Sequence, residues 1–294
     1  MDQLFYGFSK EKMISLTFVD VTESAKILEK QHLSGPTAGR FLGEALAAVA
    51  LLSANLGNED ERISLQAQVS GQIGGCLVDA SRNGNLRGYT MIKILNEFDH
   101  SDSTPLQQVL GDVGALTFLH SNRKNVIAQH RITCNPMNLR HGLARYFNDF
   151  EQKPTAIEIS VTSRDHNLHR AVGICMSRYP EGQSEDFIPL LERFNDKTIE
   201  KALAHAVDIN VLSKMLGLDD LAIIERRVLV AKCSCSHEKV IYSISCLPVE
   251  ELEEILEQNE IPEVICHFCS KSYKIGPAEI ARLLREKKER QEQD

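Results

Sequence analysis

The sequence predicts an α+β fold in three regions: an antiparallel-sheet N-terminal domain over residues 1–178, a helical linker over 179–227, and a small C-terminal domain over 228–294. Three observations lead there. Strict apolar–polar alternation, the period of a strand with one wet face, is clear at Ile63-Ser-Leu-Gln-Ala-Gln-Val69. After Tyr179 that period gives way to short segments with apolar residues at helical spacing. Five of the eight cysteines then fall between Cys233 and Cys269.

The elements follow in order. Asp20-Val-Thr-Glu23 has the form of a capping box, and Ala25, Leu28 and Leu33 recur at helical spacing behind it. Pro36 opens a second helix, apolar from Ala38 to Leu56 and stopped by Gly57. Strands are expected at Ile63–Val69 and Cys76–Ala80, with Asn83-Gly84-Asn85 as a hairpin turn. Further strands are expected at Ala115–His120, Val126–Thr133, Ala156–Thr162 and Arg170–Met176, with a helix near Met137–Phe150. In the linker, Ser184 caps a helix bearing Phe187, Leu190, Leu191 and Phe194, and Asp196 caps one bearing Ile199, Ala202, Leu203 and Ala206. A third holds Val211, Leu212, Met215 and Leu216 and stops at Gly217. Helices this short are marginal alone and persist only while docked. In the last region Val228–Ala231 and Val240–Ser245 read as strands, Pro248 opens a helix, Glu263–Cys266 and Lys274–Gly276 are strand-like, and Pro277 starts a final helix.

Composition narrows the function classes. With 43% hydrophobic and 25% charged residues over 294, the chain has enough apolar material for a core without staples. The net charge of −8 argues against general binding to nucleic acid or anionic membranes. Residues 1–178 carry as many basic as acidic residues, so the excess lies in the linker and the last region. The longest apolar run, Ala45 to Ala54, is broken by Ser53 and falls short of the roughly 20 residues of a membrane span. The N-terminus lacks a basic-then-apolar signal pattern, so a cytoplasmic location is expected.

In a reducing compartment, clustered cysteines point to metal or redox chemistry rather than structural disulfides. Cys233-Ser-Cys235 is followed 30 residues later by Cys266-His-Phe-Cys269. Two such pairs on tight turns are how a chain sets four thiolates tetrahedrally about one ion, and soft sulfur ligands select zinc over magnesium or calcium. The expected site is therefore one zinc ion on Cys233, Cys235, Cys266 and Cys269, making the last region a four-cysteine zinc domain. His237 and His267 sit beside the pairs with poor reach, and Cys246 reads as the buried end of a strand. So short a domain with few aromatics nearly balances burial against chain entropy, so a structural zinc, contributing about 10–16 kcal/mol, would hold it folded. Thiolates are also the oxidisable form of cysteine. Oxidation would expel the metal, and linker helices docked on the domain would then loosen; a purely structural zinc ribbon is the plainer alternative.

The remaining candidates are weaker. Ser70-Gly-Gln-Ile-Gly-Gly75 lacks dinucleotide spacing and reads as a sheet corner or bulge. Asp165-His166 with His169 falls in a turn between strands, and Cys76, Cys134 and Cys175 read as buried core cysteines. No arrangement for nucleophilic or acid–base catalysis stands out.

The Cys-x-Cys and Cys-x-x-Cys pairs with this gap resemble the redox switch of the 33-kDa heat-shock chaperonin family, the HslO holdases. Other landmarks are similar: Glu238 behind Cys235-Ser236, Glu250-Glu251-Leu252, Phe268 within the second pair and Tyr273 after it. In the first region they are His32, Pro36 and Ala38, Leu42-Gly43, Arg87-Gly88-Tyr89, Tyr146-Phe147, Glu151-Gln152 and Pro154-Thr155. The chain departs from the family at Gly71-Gln-Ile-Gly74, at Phe150, where the family has serine, and at Ala171-Val172-Gly173. The four cysteines are untouched by these departures.

The resemblance implies a stress-activated holdase rather than an enzyme. Reduced, it would bind one zinc and be inactive. On oxidation it would form Cys266–Cys269 and Cys233–Cys235 disulfides, lose zinc and unfold its linker. The active form, a homodimer, would hold unfolding client proteins and pass them to a DnaK-type foldase. The competing readings are a zinc-ribbon nucleic-acid binder, disfavoured by the acidic last region, and a thiol-disulfide oxidoreductase using Cys266 and Cys269, disfavoured by the lack of a thioredoxin-like context.

Overall fold

The computed structural model describes residues 1–205, 208–258 and 261–291, and it opens with a hairpin that sequence alternation does not announce. β1 (Gln3–Ser9) and β2 (Ile14–Asp20) pair antiparallel. β2 is buried along nearly its whole length, Ser15 and Thr17 included, so its sequence shows no wet-and-dry alternation. The chain divides into two compact units, residues 1–232 and 233–294.

In the first unit, α1 (Thr22–His32) is capped from a distance. The carboxylate of Asp2 accepts from the N–H groups of Glu23 and Ser24 at 2.8 and 2.6 Å, in place of the capping box expected at Asp20–Glu23. Leu33, expected on the buried face, instead ends the helix in the left-handed conformation with its side chain 79% exposed. α2 (Pro36–Leu52) begins at its proline as anticipated and is buried almost all round, so apolar residues on every face find partners. A 3₁₀ turn at Ser53–Asn55 extends it. By length and composition residues 36–55 are sufficient for a membrane span, which corrects the expectation that no run approaches one; 89% of that window is buried inside the protein.

The strands β3 (Arg62–Val69), β4 (Gly75–Ser81) and β5 (Asn85–Thr90) form a meander, and the short α3 (Leu106–Leu110) follows. The Ser70–Gly75 run is the β3–β4 turn. Gly75 has φ +129°, and a Cβ there would lie 1.9 Å from the Ala67 carbonyl oxygen, so glycine is required. β6 (Gly114–Ser121) and β7 (Val126–Cys134) complete the second sheet, α4 (Leu139–Asp149) packs near them, and β8 (Thr155–Arg164) pairs with β9 (Asn167–Arg178). Asp165 and His166, both at positive φ, make the tight β8–β9 turn.

The helices of the linker are α5 (Ser184–Asn195), α6 (Thr198–Leu203) and α7 (Ile209–Met215); Ala206, expected on the second helix, lies outside the described residues. Their docking partner is the sheet domain itself. Phe187, Leu190, Ile199, Leu203, Ile209 and Leu212 share one core with Ile14, Leu16, Phe18, Val172, Ile174 and Met176 of β2 and β9. The chain then re-enters the sheet as β10 (Ala222–Val228), antiparallel to β1, and β11 (Val230–Ala231) runs parallel to β5. Residues 222–228 are therefore strand, where the linker pattern suggested none. Two sheets result rather than one, in the orders β10-β1-β2-β9-β8 and β11-β5-β4-β3-β6-β7. A second core, built around α2, contains Phe41, Leu46, Leu65, Leu116 and Phe118.

Both ends of the helical excursion are tied to the β1–β2 turn. Tyr179 donates its N–H to the Met13 carbonyl at 2.9 Å, and its hydroxyl lies 3.0 Å from that of Tyr6. At the other end Asp220 accepts from Ser9 Oγ at 2.6 Å and from the Glu11 N–H at 2.9 Å.

The second unit contains α8 (His237–Ser245), α9 (Val249–Glu257), β12 (Glu263–Ile265), β13 (Ser272–Lys274) and α10 (Pro277–Gln291). The strand expected at Val240–Ser245 is thus a helix. Ser236 accepts from the Lys239 N–H as its N-cap, and Val240, Ile241 and Ile244 fall on the side that packs inward. Leu252, Tyr273, Ile275, Ile280 and Leu283 complete the small core.

Candidate metal centre

The four clustered cysteines are placed by two tight turns. Cys233-Ser-Cys235 lies immediately before the N-cap of α8, so the chain reverses into the helix directly after the second thiol. Cys266-His-Phe-Cys269 forms the loop of the antiparallel β12–β13 hairpin, closed by the Ser270 N–H donating to the Cys266 carbonyl at 2.8 Å and the Cys266 N–H donating to the Lys271 carbonyl at 2.9 Å. The turn leaves Ser270 at positive φ.

These elements bring the four sulfurs within 4.8 Å of one another. Cys233 Sγ lies 3.8 Å from Cys266 Sγ, and Cys235 Sγ 3.4 Å from Cys269 Sγ. A tetrahedron of thiolates with metal–sulfur bonds of about 2.3 Å has an edge of roughly 3.8 Å. The donor set and its spacing therefore fit a tetrahedral ion with four sulfur ligands. All four cysteines are partly exposed, which leaves them within reach of solvent oxidants.

The environment separates the sulfurs electrostatically. Burial pushes the thiols of Cys233 and Cys269 up, that of Cys269 to about 12, with neighbouring sulfurs adding to the effect. For Cys235 burial acts in the same direction, but it is outweighed by the hydroxyl of Tyr273, which donates to Cys235 Sγ at 3.0 Å, and by the neighbouring thiols. Its pKa falls to about 7. Four thiols this close share their protons, and a bound cation would hold them all as thiolates.

The neighbouring histidines stand outside the group of converging ligands. His237 Nε2 lies 2.8 Å from Glu279 Oε1 in α10. Cys246 is neither in the group nor in the core: it is exposed at the C-terminal end of α8, its thiol donating to the Tyr242 carbonyl at 3.4 Å. This corrects the expectation of a buried strand cysteine, because the helix turns Cys246 away from Ile244 and the packed face. Cys76, Cys134 and Cys175 are buried as expected, and burial raises the thiols of Cys76 and Cys175 to about 12. They are inert packing groups. Sequence spacing identified the four cysteines but gave no role to the tyrosine hydroxyl that touches one of them.

Comparison with known proteins agrees with this architecture. The family model described as Hsp33 protein matches residues 2–276. A 33 kDa chaperonin of Thermosipho melanesiensis is 28% identical over 284 residues, covering 96% of this chain and 98% of its own. One from Clostridium perfringens is 28% identical over 301 residues, covering 97% and 92%. Among solved structures, a 33 kDa chaperonin (heat shock protein 33 homolog) from Thermotoga maritima superposes with a TM-score of 0.83 over 98% of this chain and 99% of its own. At 22% identity that likeness speaks for the fold.

Proposed function

The chain belongs to the Hsp33 family, and on that premise we propose that it is a redox-regulated holdase, a non-enzymatic chaperone that binds unfolding proteins under oxidative stress. The observation that carries the reading is the convergence of Cys233, Cys235, Cys266 and Cys269 within 4.8 Å, in a unit whose own core is small. The four thiolates hold one zinc in the reduced state. The bound ion supplies cross-linking of two distant turns and contributes about 10–16 kcal/mol to the fold of the module.

Oxidation converts the ligands to disulfides that no longer bind the ion. The pairing Cys233–Cys235 and Cys266–Cys269 is the one the family resemblance implies, each bond closing within its own turn once the ion is lost and the module loosens. The output is carried by the helical part of the 179–227 linker, α5 to α7, whose last strand β10 belongs to the sheet, and the switch is the unit that begins at Cys233. The three linker helices are short, and their apolar faces cover the strip of β2 and β9 bearing Leu16, Phe18, Ile174 and Met176. Their loosening would expose both surfaces to clients. The active protein works as a homodimer in the cytoplasm and passes clients to a DnaK-type foldase. The acid excess of the last region makes nucleic acid a poor partner, and no membrane is involved.

The test measures zinc content, free thiols and suppression of client aggregation before and after oxidant. Zinc-free, disulfide-bonded protein should suppress aggregation, and reduced zinc-loaded protein should not. Equal suppression by both forms would sink the switch. Salt-sensitive binding of reduced protein to DNA or RNA would favour a zinc ribbon of another kind, and turnover in thiol-disulfide exchange at catalytic amounts would favour an oxidoreductase.

A further inference from the structure

One side chain outside the four cysteines touches a sulfur of the candidate metal centre through its hydroxyl. Tyr273, on β13, donates from Oη to Cys235 Sγ at 3.0 Å. Its ring is fixed independently of that bond. It is 6% exposed, packed in the core with Leu252, Ile275 and Ile280, under the Lys271 ammonium at 5.1 Å and beside the His237 ring at 6.4 Å. His237 is in turn held by Glu279, whose other carboxylate oxygen accepts from the Gly276 N–H at 3.2 Å. The hydroxyl is therefore aimed at the sulfur by packing, and removing it leaves the ring in place.

We propose that Tyr273 is a positioning residue that sets the oxidant threshold of the switch, its hydroxyl restraining the Cys235 thiolate from attacking peroxide. The inference deepens the holdase reading and rests on it for the identity of the switch. In the controlled step the Cys235 sulfur gives an electron pair to one oxygen of hydrogen peroxide. The O–O bond breaks, the other oxygen leaves as water after taking a proton, and a sulfenic acid remains. A second thiolate attacks that sulfur, the S–O bond breaks, and the hydroxyl leaves as water with another proton. Two thiolates, one peroxide and two protons thus become one disulfide and two waters. Both sulfurs are oxidised by one electron each, and the peroxide takes up both. A donor that already occupies a lone pair and stabilises the charge on Cys235 is worth more to the ground state than to the transition state, where that charge is moving onto oxygen. The donor also tightens metal binding by orienting its ligand.

The test uses the full-length chain, reduced and zinc-loaded, treated with hydrogen peroxide. Tyr273→Phe is expected to release zinc and lose the Cys235 thiol about three- to tenfold faster than the parent, as for a charge-assisted hydrogen bond that is only partly lost on reaching the transition state. A spectroscopic measurement separates this from general loosening: with cobalt in the site, loss of the donor should shift the sulfur-to-metal charge-transfer band to lower energy. Lys287→Ala, which removes the hydrogen bonds from α10 to the Ser245 and Leu247 carbonyls and so weakens the module through groups other than Tyr273 and the cysteines, should leave that band in place. Parent-like rates for Tyr273→Phe overturn the proposal. So does faster oxidation with an unmoved cobalt band, since the effect would then be structural. These readings concern metal and thiols, so failure to hold clients would overturn the holdase reading while leaving the role of Tyr273 intact.

Discussion

The two units of this chain are stabilised in different ways. Residues 1–232 enclose two apolar cores, one around α2 with Phe41, Leu46 and Phe118 fully buried and one between the β2–β9 strip and the linker helices. Among the described residues of 233–294 the core comprises six buried apolar side chains, beside four half-buried cysteines. Around α2 the first unit is held by area removed from water, a term that oxidants do not touch, and the smaller core under the short linker helices is the part proposed to open. On the proposed reading, the second is held in large part by a metal on four sulfur atoms, an affinity that oxidation would remove. A sensor and a stable platform would then share one chain because their stabilities have different chemical origins.

The largest expected effect breaks this contrast open. Chelation under reducing conditions should remove about 10–16 kcal/mol of metal-linked stability from the second unit and unfold it. Hydrogen exchange should report this as loss of protection in α8, α9 and the β12–β13 hairpin while β3, β4 and β6 stay protected. If α2 and the sheet strands lose protection together with them, the two units are not independent. Next in size, Leu46→Ala should cost about 2–5 kcal/mol in the unfolding of the first unit and leave metal affinity unchanged. Denaturation followed alongside metal titration checks both halves of that statement.

Glu44, on α2, offers a pH-dependent test within the first unit. Burial raises its carboxyl pKa most, Arg140 and Arg40 oppose this and Glu158 adds to it, leaving the group near pKa 7, above its ordinary value of 4.5. A carboxyl whose folded pKa is raised favours the fold when protonated. Its contribution is complete below about pH 4.5 and is lost as pH rises through about 7. Glu44→Gln should therefore stabilise the unit by about 1–3 kcal/mol at pH 8 and by little at pH 4, as read from melting curves at the two values. The residue lines a cavity of about 630 Å³ with Arg40, Arg140, Glu200 and Lys201, the last two from α6. The change should therefore also slow local opening of that helix. The smallest effect is at α7. Asp208 caps it by accepting from the N–H groups of Asn210 and Val211 at 2.8 and 3.0 Å, and Asp208→Ala should cost about 1 kcal/mol. Faster exchange confined to residues 209–215 would show that the linker helices open separately from the sheet. An unchanged pattern would join them to it.

Legibility in the sequence followed the physical simplicity of each element. Strands with one wet face, such as Arg62–Val69 and Gly114–Ser121, alternate and were read within a residue or two. β2 is covered on both faces, by α2 on one and the linker helices on the other, and its apolar run carries no period to read. β10 and β1 depend on each other across more than two hundred residues, a pairing that no local pattern encodes. At Val240–Ser245 β-branched residues suggested a strand, but the Ser236 cap behind the cysteine turn decided for a helix. The metal site was legible because its chemistry requires four cysteines in two close pairs. Tyr273 took its place from the register of a three-residue hairpin, which spacing does not specify.

The register of β1 against β10 also has a mechanical meaning. Gln3 pairs with Val228, and the Leu229 N–H donates to the Asp2 carbonyl at 3.0 Å, so both outer ends of this strand pair lie at the same side of the sheet. Tension applied between the N-terminus and the chain leaving residue 232 meets first the two-residue β11–β5 ladder and then the end of the β1–β10 pair. Such a load peels hydrogen bonds one register step at a time instead of shearing them all together. A ribosome, protease or foldase pulling on this chain would therefore meet little resistance at the outset. The helical excursion would stay shielded until the strand pair closing it had unzipped as far as Phe8 and Ala222.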